Sequence, residues 1–523
     1  MAKAHLRVHL DQPVAAISHR LFGSFVEHMG RAVYTGIYEP THPTANAHGF
    51  RGDVLQLVRE LGATVIRYPG GNFVSGFTWE DSVGPREQRP VRLDVAWHSV
   101  ETNEVGVHEI VEWADDAGLE IMQAVNLGTR GIDAAAALLE YSNHPGGTTR
   151  SDARRANGRE KPFGITLWCL GNEMDGPWQI GHKTADEYGR LAAETGRVMK
   201  WVDPSIELVA AGSSNADMPT FGSWERTVLA HSADVIDHIS LHAYYEETGG
   251  DVASFLASGV GLDRYIATVA TIIDEALAEQ GLEKTIGISV DEWNVWYQSR
   301  FNEVDKPPLF AGEWNERPRI IEDEYSVTDA VVVGSLLMSL LRNCDRVSMA
   351  NLAQLVNVIA PIRSEPNGPA WRQTTFHPFA LTAAAARGTV LRSTTQSPAI
   401  DTPLYGSVDA LDAVAVANAD AGEIVLLLVN RDTETALSLT VDGLDGALCG
   451  TLVSALSIQA PADGSRFSAN TQAAPDTVVP VALDSIELTA AGLAAELPPL
   501  SWSIVRIAVA TPTTVFESEG ATS

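Results

Sequence analysis

The sequence predicts an α/β chain: a (β/α)8 TIM barrel followed by a C-terminal antiparallel β-sandwich. Three observations predict it. Strand-like and helix-like segments alternate from about residue 16 to 384, and the strand-like ones count to eight. After about residue 385 the helical patterns fade into short alternating stretches separated by Gly, Asp, Asn and Pro. The chain, at 523 residues, is long enough to hold both units.

The barrel elements follow in order. Candidate strands are Ile17–Phe22, Thr64–Tyr68, Glu120–Val125, Gly164–Leu170, Ile206–Ala211, Val235–Leu241, Thr285–Val290 and Arg346–Leu352. Between them, Asp53–Leu61 places Val54, Leu55, Leu57, Val58 and Leu61 on one stripe and stops at Gly62. His108–Ala117 repeats the pattern and stops at Gly118. Ser326 and Asp329 form a capping-box variant ahead of the apolar run Ala330–Leu341. The second unit has alternating stretches at Ala413–Ala417, Glu423–Val429, Leu437–Val441, Ser485–Leu488 and Ser501–Ile507. Lys3–Leu10 also alternates and is expected to join that unit. The expected division is therefore an N-terminal strand (1–15), the barrel (16–384), the sandwich (385–510) and a polar, disordered tail (511–523).

Composition excludes several classes. With 36 basic and 67 acidic residues the net charge is −31. Such a surface repels phosphate backbones, so nucleic acid is not an expected partner. Three cysteines without CxxC spacing argue against a disulfide framework or a zinc site. The N-terminal residues lack an apolar signal core, and Ala330–Leu341 is too short to span a bilayer. A soluble cytoplasmic protein with a neutral substrate, no membrane partner and no cofactor is expected.

Two segments carry the chemistry: Trp168-Cys-Leu-Gly-Asn-Glu-Met-Asp-Gly-Pro-Trp178 and Ile288-Ser-Val-Asp-Glu-Trp-Asn-Val-Trp-Tyr297. Each is an apolar run that ends at a carboxylate, as a parallel barrel strand does when its tip delivers an acid to a pocket. Two facing acids among aromatics suit glycoside cleavage, where one protonates the departing oxygen and the other attacks or activates water. Glu173 and Glu292 are the candidates, with Asp175 and Asp291 as competitors. Adjacent strand residues point to opposite faces, so Asp291 and Glu292 are not expected to share the barrel mouth. Glu292 enters it if Ile288 and Val290 face inward, a phase that periodicity leaves open.

Other candidates surround them. The Asn172 amide can bond a sugar hydroxyl, and Trp178 and Trp296 can wall a sugar face. His242 and Tyr244 end the sixth candidate strand, where Tyr244 can steer a carboxylate. Arg67 can hold a nucleophilic carboxylate ionised. Glu27 and His28, with Asn72 and Gln354, can bind hydroxyls at the far end of a small sugar. Gly70-Gly71 suits a close backbone approach to a ligand. No spacing among these residues matches a metal motif.

At these residues the chain resembles family 51 of the glycoside hydrolases, the α-L-arabinofuranosidases. The resemblance runs through Phe22-Gly-Ser-Phe-Val-Glu-His28, Ile66-Arg-Tyr-Pro-Gly-Gly-Asn72, Ala124-Val-Asn-Leu-Gly128, the two segments above, Leu352-Ala-Gln-Leu-Val-Asn357 and Leu497-Pro-Pro-Leu-Ser-Trp-Ser503. It implies a barrel plus sandwich and an exo-acting, retaining hydrolase of terminal α-L-arabinofuranosyl residues that needs no metal. It also implies Glu173 as acid/base and Glu292 as nucleophile, with Glu27, Asn72, Asn172, Tyr244, Trp296 and Gln354 on the sugar. A homohexamer is implied by the same resemblance. The segment Phe301–Glu316 varies among relatives, which leaves aglycone preference open. Two other readings are a retaining β-xylosidase or endoglucanase on the same scaffold, and a non-catalytic carbohydrate-binding protein.

Overall fold

The computed structural model describes residues 2–444, 448–489 and 492–509. The expected tail at 511–523 lies outside these residues. Eight parallel strands close a barrel in chain order: Gly23–Phe25, Val65–Tyr68, Glu120–Val125, Leu167–Leu170, Glu207–Ala210, His238–Tyr245, Gly287–Val295 and Val347–Leu352. They are called the first to eighth barrel strands below.

Alternation along these strands divides the barrel into two cores. Val65, Met122, Leu167, Cys169, Val209 and Met349 form a small cluster of their own. Ile66, Trp168, Leu170, Leu208, Ile239, Leu241, Ile288 and Val290 belong to the large core shared with the helices. The small cluster is the barrel interior, and the large one lies between the barrel and its helical coat. Ile288 and Val290 thus face outward, the opposite of the phase that would carry Glu292 inward by simple alternation.

Several boundaries differ from expectation; the sixth strand, for example, runs His238–Tyr245 and so includes His242 and Tyr244. The first strand begins at Gly23, not Ile17, because His19–Phe22 forms a 3-10 turn. Ser18 accepts a bond from the Arg20 amide at 3.2 Å, which stabilises that turn over a strand. Leu21 and Phe22 are buried in either conformation, so their hydrophobicity carries no strand signal. The seventh strand continues to Val295, so Glu292 lies within it and pairs with His242 across the sixth.

A ten-stranded sheet makes up the second unit. Strand Ala2–Ala16 lies within it, antiparallel to Thr389–Gln396 and parallel to Leu437–Asp442. Leu6, Leu426, Leu439, Leu493 and Ile507 come from strands well separated in the sheet, yet share one core. The sheet therefore curls over on itself.

Helix Val327–Arg342 joins the two units. Ser326 caps it through a reciprocal bond with Asp329, as the sequence pattern predicts. Every residue from Val327 to Leu341 is buried, which explains a helix apolar on all sides. Its contact with Trp502 of the sheet is close: a Cβ at Gly334 would fall 2.2 Å from the indole. Alanine would gain about 1 kcal/mol of helix propensity. It would also force a fully buried indole aside, and overpacking of this kind costs about 1–3 kcal/mol. Gly334→Ala is expected to lower stability, read as an earlier midpoint in chemical denaturation.

Candidate active site

The strand tips meet at a fully buried guanidinium. Arg67 follows Val65 on the interior face of the second strand, and no part of its side chain reaches solvent. Its Nη1 donates to Glu292 Oε1 at 2.8 Å, and its Nη2 donates to Asn172 Oδ1 at 2.6 Å. Its Nε lies 3.6 Å from Asp291 Oδ2, and its charge sits over the Phe25 ring at 5.0 Å. One cation therefore touches groups from the first, second and seventh strands and from the loop after the fourth.

Both Asp291 and Glu292 reach this guanidinium, contrary to the expectation from alternation. The reason is a register shift between Val290 and Glu292 in the pairing with the sixth strand. Such a bulge inserts a residue and re-aims the side chain after it. Asp291 keeps the interior phase of Ser289, whose hydroxyl donates to it. Glu292 is turned inward by the irregularity, against the phase of Ile288 and Val290.

Glu173 is aimed by a different device. The fourth strand stops at Leu170, and the chain turns through Gly171 and Glu173, both at positive φ (87° and 44°). A left-handed glutamate costs about 1–2 kcal/mol, and such strain gathers where surrounding contacts hold a functional side chain. Here Trp178 Nε1 donates to Glu173 Oε2 at 2.7 Å, and His242 Nδ1 bonds Oε1 at 2.9 Å. His242 lies between the acids, with Nδ1 3.5 Å from Glu292 Oε2. Tyr244, two residues on along the same face, donates to Glu292 Oε2 at 2.7 Å. One oxygen of each glutamate and the His242 nitrogen lie within 4.8 Å of one another. A metal can use such a donor set. Here, however, all four glutamate oxygens already have a hydrogen-bond partner in the chain, and a guanidinium adjoins Glu292.

The electrostatics separate the groups. Burial alone would raise the Glu292 carboxyl. The charges of His242 and Arg67, with hydrogen bonds from Tyr244 and Arg67, outweigh burial and hold it below the ordinary value. His242 is pushed the other way: burial would lower it, but Glu292 and Glu173 raise it above the ordinary imidazole value. Burial also lifts Glu27 well above the usual carboxylate range, and the charge of Glu292 adds to the effect.

The remaining candidates form the far wall. Glu27 Oε1 accepts from the Phe73 amide at 2.9 Å and from Trp97 Nε1 at 2.6 Å, and its own amide donates to Gln354 Oε1 at 3.1 Å. Asn72 is engaged with the chain, donating to Trp178 O at 3.0 Å and accepting from the Ile180 amide at 2.9 Å. Trp296 meets the Tyr244 ring edge-on at 5.0 Å, while Trp178 is half exposed at the mouth. His28 is a core histidine, bonded to Glu101 at 2.7 Å and Tyr68 at 2.8 Å. Asp175 accepts from the Ser214 amide and hydroxyl, away from the facing acids.

Gly70 and Gly71 serve the protein's own side chains. A Cβ on Gly71 would lie 2.1 Å from Glu27 Oε2, and one on Gly70 would lie 2.0 Å from the Phe25 ring. Sequence reasoning missed Trp97, which reaches Glu27 from a small hairpin rather than a strand tip. The one available signal was an indole placed beside His98 in a loop already rich in turn residues.

With this geometry, two family models match the chain: the α-L-arabinofuranosidase 1 domain over residues 57–258 and the α-L-arabinofuranosidase C-terminal domain over 291–501. An intracellular exo-α-(1→5)-L-arabinofuranosidase of Streptomyces lividans is 54% identical over 95% of this chain and 74% of its own. The chain belongs to the family 51 α-L-arabinofuranosidases. It is thus a glycoside hydrolase. A solved family 51 α-L-arabinofuranosidase from Bifidobacterium longum superposes with a TM-score of 0.91 at 47% identity, covering 97% of this chain and all of the other. An exo-α-(1→6)-L-arabinofuranosidase of the same species is 50% identical over 97% of this chain and 98% of its own.

Two expectations follow for this family 51 site. Tyr244→Phe removes a hydrogen bond that favours ionised Glu292, so the Glu292 carboxyl should rise. The acidic limb of the kcat/KM–pH profile should then move to higher pH, and an unmoved limb would count against this electrostatic account. Gly71→Ala should displace Glu27 and raise KM for an aryl α-L-arabinofuranoside, and it should also lower thermal stability, because alanine is strained at φ 61°.

Proposed function

We propose that this chain is an exo-acting, retaining α-L-arabinofuranosidase. It would remove terminal non-reducing α-L-arabinofuranosyl residues from arabino-oligosaccharides, arabinan or arabinoxylan fragments. The observation that carries the reading is that one carboxylate oxygen of Glu173 and one of Glu292 lie within 4.8 Å of each other, with His242 between the two acids. Double displacement needs carboxyls about 5–5.5 Å apart, whereas an inverting enzyme leaves about 6.5–9.5 Å for a water.

In this mechanism Glu292, kept ionised by Arg67 and His242, attacks the anomeric carbon. The bond to the leaving oxygen breaks and that oxygen takes the proton of Glu173. Glu173 then removes a proton from water, which attacks the arabinosyl ester and releases arabinose with retained configuration. Asn172, its oxygen held by Arg67 and its amide nitrogen donating to Gln179 at 3.4 Å, is placed to bond a sugar hydroxyl beside the reacting carbon. Glu27, Asn72 and Gln354 receive the far end of the sugar, and Tyr244, Trp296 and Trp178 wall it. Arg67 and His242 act through the two glutamates.

Among the described residues no helix is long and apolar enough to cross a membrane. Several relatives are named intracellular enzymes, which supports a cytoplasmic location for this chain. A homohexamer and the division at residues 15, 384 and 510 belong to the same reading.

The test is hydrolysis of p-nitrophenyl α-L-arabinofuranoside beside the β-D-xylopyranoside. Strong furanoside selectivity is expected, with the α-anomer of arabinose appearing first by proton NMR. Glu173→Ala should lose about 10²–10⁴-fold in activity, and Glu292→Ala should lose at least as much. Preference for the pyranoside would overturn the sugar, and undiminished activity in Glu292→Ala would overturn the nucleophile.

A further inference from the structure

Asp291 is a buried carboxylate beside Arg67 for which the mechanism has no step. It is 2% exposed and lies in the barrel interior directly under Glu292. The groups around it come from every neighbouring element. On its own strand Ser289 donates to it and Glu292 follows it. Burial raises the Asp291 carboxyl above the ordinary value, and the charges of Arg67 and His242 with the Ser289 hydrogen bond oppose that rise. The second strand contributes Arg67, with Nε 3.6 Å from Oδ2. The fourth contributes the Cys169 thiol at 3.9 Å, and the sixth contributes His242, whose charge acts on it. From helix Ala185–Val202, the Tyr188 phenol feels its charge. The bulge after Val290 is what lets Asp291 and Glu292 meet the same guanidinium.

We propose that Asp291 is a positioning residue whose negative charge keeps the buried site neutral through both halves of the double displacement. This rests on the roles given above to Glu173 and Glu292. Before attack, the cations are Arg67 and His242, and the anions are Glu292 and Asp291; Glu173 holds its proton. In the first step Glu292 forms the bond to the anomeric carbon and becomes a neutral ester. The electron pair of the broken bond goes to the leaving oxygen, which takes the proton of Glu173. The anions are now Glu173 and Asp291, against the same two cations. Charge moves from one glutamate to the other while the total stays at zero. In a site closed to water an uncompensated charge is costly. Without Asp291 the site would carry a net positive charge in both states, which would favour the ionised form of both glutamates.

The experiment is the pH profile of kcat/KM for Asp291→Asn, Asp291→Glu and Ser289→Ala on p-nitrophenyl α-L-arabinofuranoside. In Asp291→Asn both limbs should move to lower pH, so activity falls several-fold on the basic side and is recovered by acidification. Asp291→Glu retains the charge and should keep both limbs in place. A uniform fall in kcat for Asp291→Asn, with unmoved limbs, would overturn the proposal and leave a packing role. If Asp291→Asn does not fold, Ser289→Ala decides: losing the hydrogen bond that favours the Asp291 carboxylate should let Asp291 take up a proton more readily and move the limbs in the same direction, and unmoved limbs would overturn the proposal. Glu173→Ala, run alongside, should lose the basic limb altogether. A basic limb that persists there would count against the acid/base role and not against the part played by Asp291.

Discussion

The arrangement of this site depends on the burial of one guanidinium inside the barrel. A cation without solvent is tolerable only where anions and acceptors surround it. Arg67 finds Glu292, Asp291 and Asn172. Those partners come from separate strand tips, so the requirement to neutralise Arg67 also fixes the distances among groups that must cooperate in chemistry. The same field holds Glu292 below its usual protonation range while burial raises Glu27 a short distance away. Two carboxylates in one pocket thereby acquire different characters without any difference in residue type.

Two local irregularities place the acids, and both are departures from regular structure. The bulge in the seventh strand brings Glu292 onto the interior face. The left-handed turn after the fourth strand directs Glu173 toward His242 and Trp178. Regular strands would have left one glutamate in the helical coat and the other on the rim. The strain is borne by contacts on either side, including the indole of Trp178 and the ladder to the sixth strand.

Much of this was legible in the sequence because hydrophobic periodicity reports burial directly. The third strand, Glu120–Val125, matches its predicted bounds, and the helix at Val327–Arg342 follows from its cap and its apolar run. What stayed illegible was geometry that periodicity does not encode. The 3-10 turn at His19–Phe22 reads as a strand because a buried Leu-Phe pair looks the same in either conformation. The bulge at Asp291 leaves no compositional mark, so the alternation rule gave the wrong relation between two neighbouring acids. Asn72, expected on the sugar, also ties the loop at 178–180 through its amide, by tertiary bonds that periodicity does not report. Trp97 was missed because its partner, Glu27, lies 70 positions away in the chain.

The helix between barrel and sheet has one more consequence. Its residues, the outer face of the sheet and the barrel's helical coat belong to a single hydrophobic core, with Trp502 seated against Gly334. The C-terminal unit is therefore not a detachable module. A chimera that kept this barrel and borrowed another sheet would expose a helix that is buried along nearly its whole length unless the borrowed sheet supplied a matching indole. In lineages that carry this architecture, the two units are constrained to change together, and recombination at their boundary meets a barrier set by one glycine and one tryptophan.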